Sequence, residues 1–214
     1  MSKSNQFIRI IGDTAEVVTE RVERKVALEE LLNEVVKDRG LITPILPKGC
    51  KLFHQKGDEE IFVVEQSPQI RKITHCNTSY KLAFPYVIFF IPVKNGAIGE
   101  IRIFYRTSPL KSVEDKVKKT NLWNVYREEA GMCTGSMRAS GDTPAEKAES
   151  FIEQFWNVGF NNDITQLFDD AAKQIAQVSS VKKWQEETEK NSLFPIQVSW
   201  IDGGKLSDYI KVGG

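Results

Sequence analysis

The chain has 214 residues, 41 % of them apolar, enough for one large domain or a domain with a helical appendage. Its 29 Lys and Arg balance 29 Asp and Glu, so no net field favours nucleic acid, and no run approaches the roughly 18 apolar residues that a membrane span needs. No apolar signal region follows Met1–Gln6, which predicts a cytoplasmic protein without a membrane partner.

In chain order, Phe7–Ile11 reads as a short strand, Gly12-Asp13 as a turn and Ala15–Glu20 as a second strand, together a small hairpin. Leu28, Leu31, Leu32, Val35 and Val36 recur at helical spacing, predicting a helix over Val26–Asp38 that stops at Arg39-Gly40. Residues 1–40 are thus expected to pack as hairpin and helix on the core of an α+β domain over 41–214, with a C-terminal helical extension. Pro44, Pro47 and Gly49 break the chain before a sheet-rich region that runs to Leu110. Its predicted strands are Lys51–His54, Glu60–Glu65 after the Lys56-Gly57-Asp58 turn, Ile70–Thr74 after Pro68, and Tyr86–Ile91, continuously apolar as a central strand would be. Asn95-Gly96 signals a turn, and Glu100–Arg106 alternates, with Ile101, Ile103 and Tyr105 on one side and Arg102, Phe104 and Arg106 on the other. The expected arrangement is an antiparallel β-meander.

Periodicity fades from Ser108 to Ser140. The basic run Asp115–Lys119 reads as a solvated face, and Asn121–Ser140 as a long loop of little regular structure, a kind of segment that is more often functional or disordered than inert. A helix start follows: Thr143 caps, Pro144 fits the first turn and Glu146 closes a capping box, with Ala148, Ile152, Phe155 and Trp156 as the apolar face. Ile164, Leu167, Phe168, Ala171, Ile175 and Val178 predict a second helix from near Asp163, and Val181–Glu189 a third. Phe194–Trp200 reads as a final strand ended by Asp202-Gly203-Gly204. The fold class is α+β, an antiparallel meander flanked by helices that follow the sheet.

The cysteines are Cys50, Cys76 and Cys133, with no Cys-x-x-Cys, and the only histidines are His54 and His75. Neither a structural metal site nor a cofactor is expected. Cys50 and Cys76 read as partly buried packing in a reducing compartment. Cys133 stands apart, in the stretch predicted to be a functional loop, nine residues after Asn124. A thiolate there would attack carbonyls and could pass an acyl group on as a thioester. Its ionised fraction would depend on whether Arg127 and Arg138 or Glu128 and Glu129 lie nearer. Asn124 is a candidate oxyanion donor, a role worth ~3 kcal/mol or ~10²-fold in rate, or else it bonds its own loop. Gly131 and Gly135 flank the cysteine and allow close approach by a bulky partner, or are ordinary turn residues. Trp123 and Tyr126 either fix the loop from beneath or offer partner contact. A Cys-His hydrolase would need His54 or His75 brought beside Cys133 by folding. The residues alone leave open whether Cys133 is a nucleophile or a loop cysteine with no catalytic duty.

Several blocks together resemble a known family: Phe84-Pro85-Tyr86 with the apolar run after it, Tyr105–Leu110, Asn121–Tyr126, Gly131–Gly135, and Ala148–Phe160 as the helix after the cysteine. Over about residues 41–165 the chain is similar to the prokaryotic ubiquitin-conjugating (E2)-like proteins, family D, the PRTRC system protein B group. The resemblance implies a UBC (E2)-like fold, a catalytic Cys133, an assisting Asn124, and a carrier of a ubiquitin-like protein. The implied partners are an E1-like ThiF-type activating enzyme, the ubiquitin-like protein and a JAB-type peptidase. Leu122 and Trp123 stand where the broader family has the His and Pro of its His-Pro-Asn tripeptide, and Thr134-Gly135 replaces the usual apolar continuation. The alternative function is a non-catalytic E2-like scaffold or adaptor of a plasmid or phage module, with Trp156, Phe160 and Trp184 as apolar contact surface. The chain also closes on Gly213-Gly214, the form of an activated ubiquitin-like tail, expected here to be only a flexible terminus.

Overall fold

A computed structural model describes residues 45–210, together with the strands 6–11, 14–19 and 22–27. Most of the helix predicted over Val26–Asp38 and the terminal Gly213-Gly214 lie outside the described residues. The fold is mixed α+β, with an antiparallel sheet flanked by helices. The first strands are β1 (Gln6–Ile11), β2 (Thr14–Thr19) and β3 (Val22–Ala27); Val26 and Ala27, assigned above to the start of a helix, belong to β3. They are followed by β4 (Cys50–Lys56), β5 (Glu59–Gln66), β6 (Gln69–His75), β7 (Thr78–Phe84), β8 (Tyr86–Lys94), β9 (Ala97–Ile98), β10 (Arg102–Arg106) and β11 (Lys116–Lys118). After these come α1 (Pro144–Asn157), β12 (Gly159–Phe160), α2 (Gln166–Gln174), α3 (Val181–Lys190) and β13 (Asp202–Lys205).

The large sheet runs β13-β11-β10-β8-β5-β4-β1-β2-β3, with β9 on β8. The hairpin β1–β2 joins it through β1, where Ile8 pairs Phe53 and Arg9 pairs Leu52. The expected meander is interrupted, because β6 and β7 leave it and form a separate sheet with β12.

Both faces of the large sheet are covered at its β8 and β10 strands. Val87, Phe89 and Ile91 of β8 enter one apolar cluster, and Ile88 and Phe90 enter the other. That double burial explains why β8 reads as an unbroken apolar run. On β10, Ile103 and Tyr105 face the first cluster and Phe104 the second, the alternation expected of it. Arg106 on the second side is nonetheless buried, because Asp115 at 3.1 Å and the Lys116 carbonyl at 2.6 Å take its guanidinium.

Helix α1 starts as its sequence dictates. The Glu146 N–H donates to Thr143 Oγ1 at 3.2 Å, Glu146 Oε2 accepts from the Thr143 N–H at 2.9 Å, and Pro144 opens the first turn. Phe151, Ile152, Phe155 and Trp156 carry its buried face onto the first cluster. Helix α3 does the work of a neighbouring strand along β7. Trp184 Nε1 donates to the Ala83 carbonyl at 2.9 Å, and Thr188 Oγ1 accepts from the Ala83 N–H at 2.9 Å. Side chains one helical turn apart therefore satisfy both backbone groups of one residue on the strand edge. Thr188 is 4 % exposed, so Thr188→Val keeps the shape and strands a buried N–H. We expect it to lower stability by about 1–3 kcal/mol, measured by urea unfolding.

Two expectations are corrected. Phe194–Ile196 is a 3₁₀ turn led by Leu193, with Pro195 in its first positions, rather than part of a strand. The final strand lies later, over the glycines read as a stop. Gly203 approaches β11 so closely that a Cβ there would sit 3.2 Å from the Lys118 carbonyl carbon and the Lys119 nitrogen. The run Asp115–Lys119 is not wholly a solvated face, since Val117 at its middle is fully buried. No helix among the described residues is long and apolar enough to cross a membrane.

Candidate functional site

The segment after β11 enters the core before it reaches Cys133. Asn121 is fully buried and its Oδ1 accepts from the Tyr105 hydroxyl at 3.1 Å. Leu122 and Trp123 follow it inside, at 0 % and 1 % exposure. Trp123 stacks on Phe168 at 4.5 Å and on the His75 ring at 4.1 Å. It is the anchor that holds the loop down, and burial leaves it no face to offer a partner, against the expectation of partner contact.

Beyond Trp123 the chain turns sharply at Asn124, whose φ of +60° is a left-handed conformation that asparagine tolerates better than most residues. Val125 then pairs antiparallel with Met132. The Tyr126 N–H donates to the Gly131 carbonyl at 2.8 Å, and the Cys133 N–H donates to the Asn124 carbonyl at 2.8 Å. The expected loop is therefore a miniature hairpin in which Asn124 lies opposite Cys133. Alternation sends Val125 and Met132 into the core and leaves Tyr126 and Cys133 on the outer side. The hairpin is tied down on several sides. Its outgoing arm bonds the β10 edge, with Met132 N–H on the Ile101 carbonyl at 2.7 Å and Ala130 carbonyl on the Ile103 N–H at 3.0 Å. The Asn124 N–H donates to the Ile164 carbonyl at 3.1 Å, just before α2. Gln154 of α1 clasps the Arg138 backbone through both its N–H and its carbonyl.

Cys133 is half-buried beside Tyr126, and the interaction with the thiol holds the phenol above its ordinary pKa. Tyr126 itself is 46 % exposed, an apolar ring at the mouth of the site. Gly131 is buried, and a Cβ there would meet Glu100 Oε1 at 2.6 Å. Gly135 is exposed at φ +50° with open space around it, so no side chain crowds that flank of the cysteine. Three of the four charged residues weighed as neighbours of the thiol are engaged elsewhere. Arg127 forms a two-point ion pair with Asp170 of α2 at 2.8 and 2.9 Å, Arg138 bonds the Gly135 and Met137 carbonyls, and Glu129 pairs with Arg102 at 3.5 Å. The group that meets the sulfur is a phenol, which sequence reading had considered only as a packing or contact residue.

Of the other two cysteines, Cys50 packs partly buried as expected and Cys76 does not. Cys50 is packed among the strands, and burial pushes its thiol up to about 12. Cys76 is exposed, against the reading of it as partly buried packing. His54 is buried in β4. His75 faces Asn162 and Cys76 rather than Cys133, so the imidazole a Cys133 hydrolase needs is committed elsewhere. Trp156, Phe160 and Trp184, named as contact surface for a scaffold, are 7 %, 2 % and 0 % exposed and belong to the core. Among the described residues no cluster of His, Cys, Asp or Glu is grouped to hold a metal ion. No family model matches the chain, and no curated protein or solved structure matches it.

Proposed function

We propose that the chain is an E2-like carrier, with a UBC-like core, that accepts a ubiquitin-like protein as a thioester on Cys133 and passes it to an amine. The observation that carries this reading is the backbone hydrogen bond that sets Asn124 opposite Cys133 in a braced hairpin, with the thiol on its outer side. In charging, the Cys133 thiolate attacks the thioester carbonyl presented by an E1-like ThiF-type activating enzyme. A new carbon–sulfur bond forms, the old one breaks, and the activating enzyme's thiolate leaves. In discharge, a lysine amine attacks the carbonyl, the bond to Cys133 breaks, and the amine proton passes to solvent. The Asn124 amide donates to the oxyanion during discharge onto the lysine. The Tyr126 phenol donates to the sulfur whenever it carries negative charge. A JAB-type peptidase would act on the conjugate or its precursor.

The test is incubation with the activating enzyme, ATP and the ubiquitin-like protein. The expected result is an adduct that a thiol reductant removes. An activating enzyme that charges itself yet yields no such adduct leaves the chain as a non-catalytic scaffold. Asn124→Gly separates the amide from the backbone, because glycine accepts a positive φ without strain. We expect Asn124→Gly to charge normally and to discharge onto lysine ~10²-fold more slowly in single-turnover assays.

A further inference from the structure

At the tip of the β6–β7 hairpin, Cys76 and Asn77 occupy left-handed conformations, φ +46° and +64°, in a tight two-residue turn. Asparagine suits such a position and cysteine does not. The turn holds the Cys76 thiol exposed, 3.7 Å from His75 Nε2, and the same nitrogen lies 3.0 Å from Asn162 Oδ1. The imidazole is fixed from behind by its stack on buried Trp123 at 4.1 Å. The backbone around it is fixed as well. The Cys76 N–H donates to the Phe160 carbonyl at 2.9 Å, and Phe160 pairs with His75 across β12 and β6. Asn161 and Asp163 bond one another on either side of Asn162. Two chain segments thus bring a thiol, an imidazole and an amide together on the surface, outside the Cys133 hairpin.

We propose that Cys76 is a second nucleophilic thiol, with His75 as its proton acceptor and Asn162 Oδ1 as the acceptor that steadies the protonated imidazole. Its substrates are low-molecular-weight disulfides. Nε2 holds either one lone pair or one proton. After the thiol proton moves to it, the Nε2–H lies between two acceptors, the thiolate and Asn162 Oδ1, so the arrangement suits the charge-separated pair. The thiolate attacks one sulfur of the disulfide, the sulfur–sulfur bond breaks, and a mixed disulfide forms on Cys76. The departing thiolate takes up the proton; the small disulfide is reduced and Cys76 is oxidised. The site does not rest on the carrier reading of Cys133.

The test is reaction of the whole chain with oxidised glutathione, following each cysteine peptide by mass. The Cys76 peptide is expected to be modified faster than an unstructured peptide carrying one cysteine. Cys50, partly buried with its thiol pushed up to about 12, serves as the unreactive internal reference. His75→Ala should slow Cys76 modification about tenfold or more, and added imidazole should restore part of the rate. Asn162→Ala should slow it to a smaller extent. A wild-type Cys76 that reacts no faster than the unstructured peptide overturns the proposal, whether or not the variants fold. So does a folded His75→Ala chain with an unchanged Cys76 rate.

Discussion

Trp123→Ala is expected to destabilise the protein by about 3–5 kcal/mol, the range for removing a large aromatic side chain from a packed core. Trp123 is 1 % exposed and stands where several elements converge. Phe168 of α2 stacks on one side, the His75 ring of β6 packs at 4.1 Å, and Phe160 and Trp184 lie at 6.0 and 6.5 Å. Alanine leaves a cavity that neither the sheet nor the helices can close without giving up these contacts. Trp123→Phe keeps a ring in the stack and should lose clearly less. Urea unfolding with an unchanged m-value measures both. A loss below about 1 kcal/mol for the alanine variant would show that the aromatic cluster does not hold the loop. Trp123 immediately precedes Asn124, so the same substitution should also blur the geometry around Cys133.

That dependence shows why part of the site was legible in the sequence and part was not. The capping box of α1 is local: Thr143, Pro144 and Glu146 lie within four positions, and their types announce the geometry. The central strand β8 announced itself by its unbroken apolar run. The Asn121–Ser140 segment was recognisable as an irregular stretch carrying Asn124 and Cys133. Its hairpin was not, because it is held by partners far along the chain, Ile101 and Ile103 on one side and Ile164 on the other. The β6–β7 hairpin escaped notice because its turn uses Cys76 and Asn77 where glycine would have signalled it. The last strand was misplaced because Gly203 and Gly204 usually end elements, whereas here the missing Cβ of Gly203 lets two backbones approach. Tyr126 beside the thiol, and His75 beside Cys76 instead of Cys133, are products of register and turn geometry that residue types alone do not carry.

The second large effect concerns Cys133 itself. Cys133→Ser exchanges sulfur for oxygen at a half-buried position and should leave stability within about 0.5 kcal/mol. Its effect on charging should be near total for the reductant-sensitive adduct, because an ester through serine oxygen survives thiol treatment. Cys133→Ala should give no adduct of either kind. If charging persisted in Cys133→Ala, another sulfur would be the acceptor, and exposed Cys76 is the alternative the structure offers.

Two single-cysteine chains decide the matter. One keeps Cys133 with Cys50→Ala and Cys76→Ser; the other keeps Cys76 with Cys50→Ala and Cys133→Ser. Each is incubated with the ThiF-type activating enzyme, ATP and the ubiquitin-like protein, and its intact mass is read before and after thiol reductant. The carrier account predicts a reductant-removable mass increase of one ubiquitin-like protein on the chain that keeps Cys133, and none on the chain that keeps Cys76. A charged Cys76 chain beside an uncharged Cys133 chain would contradict it.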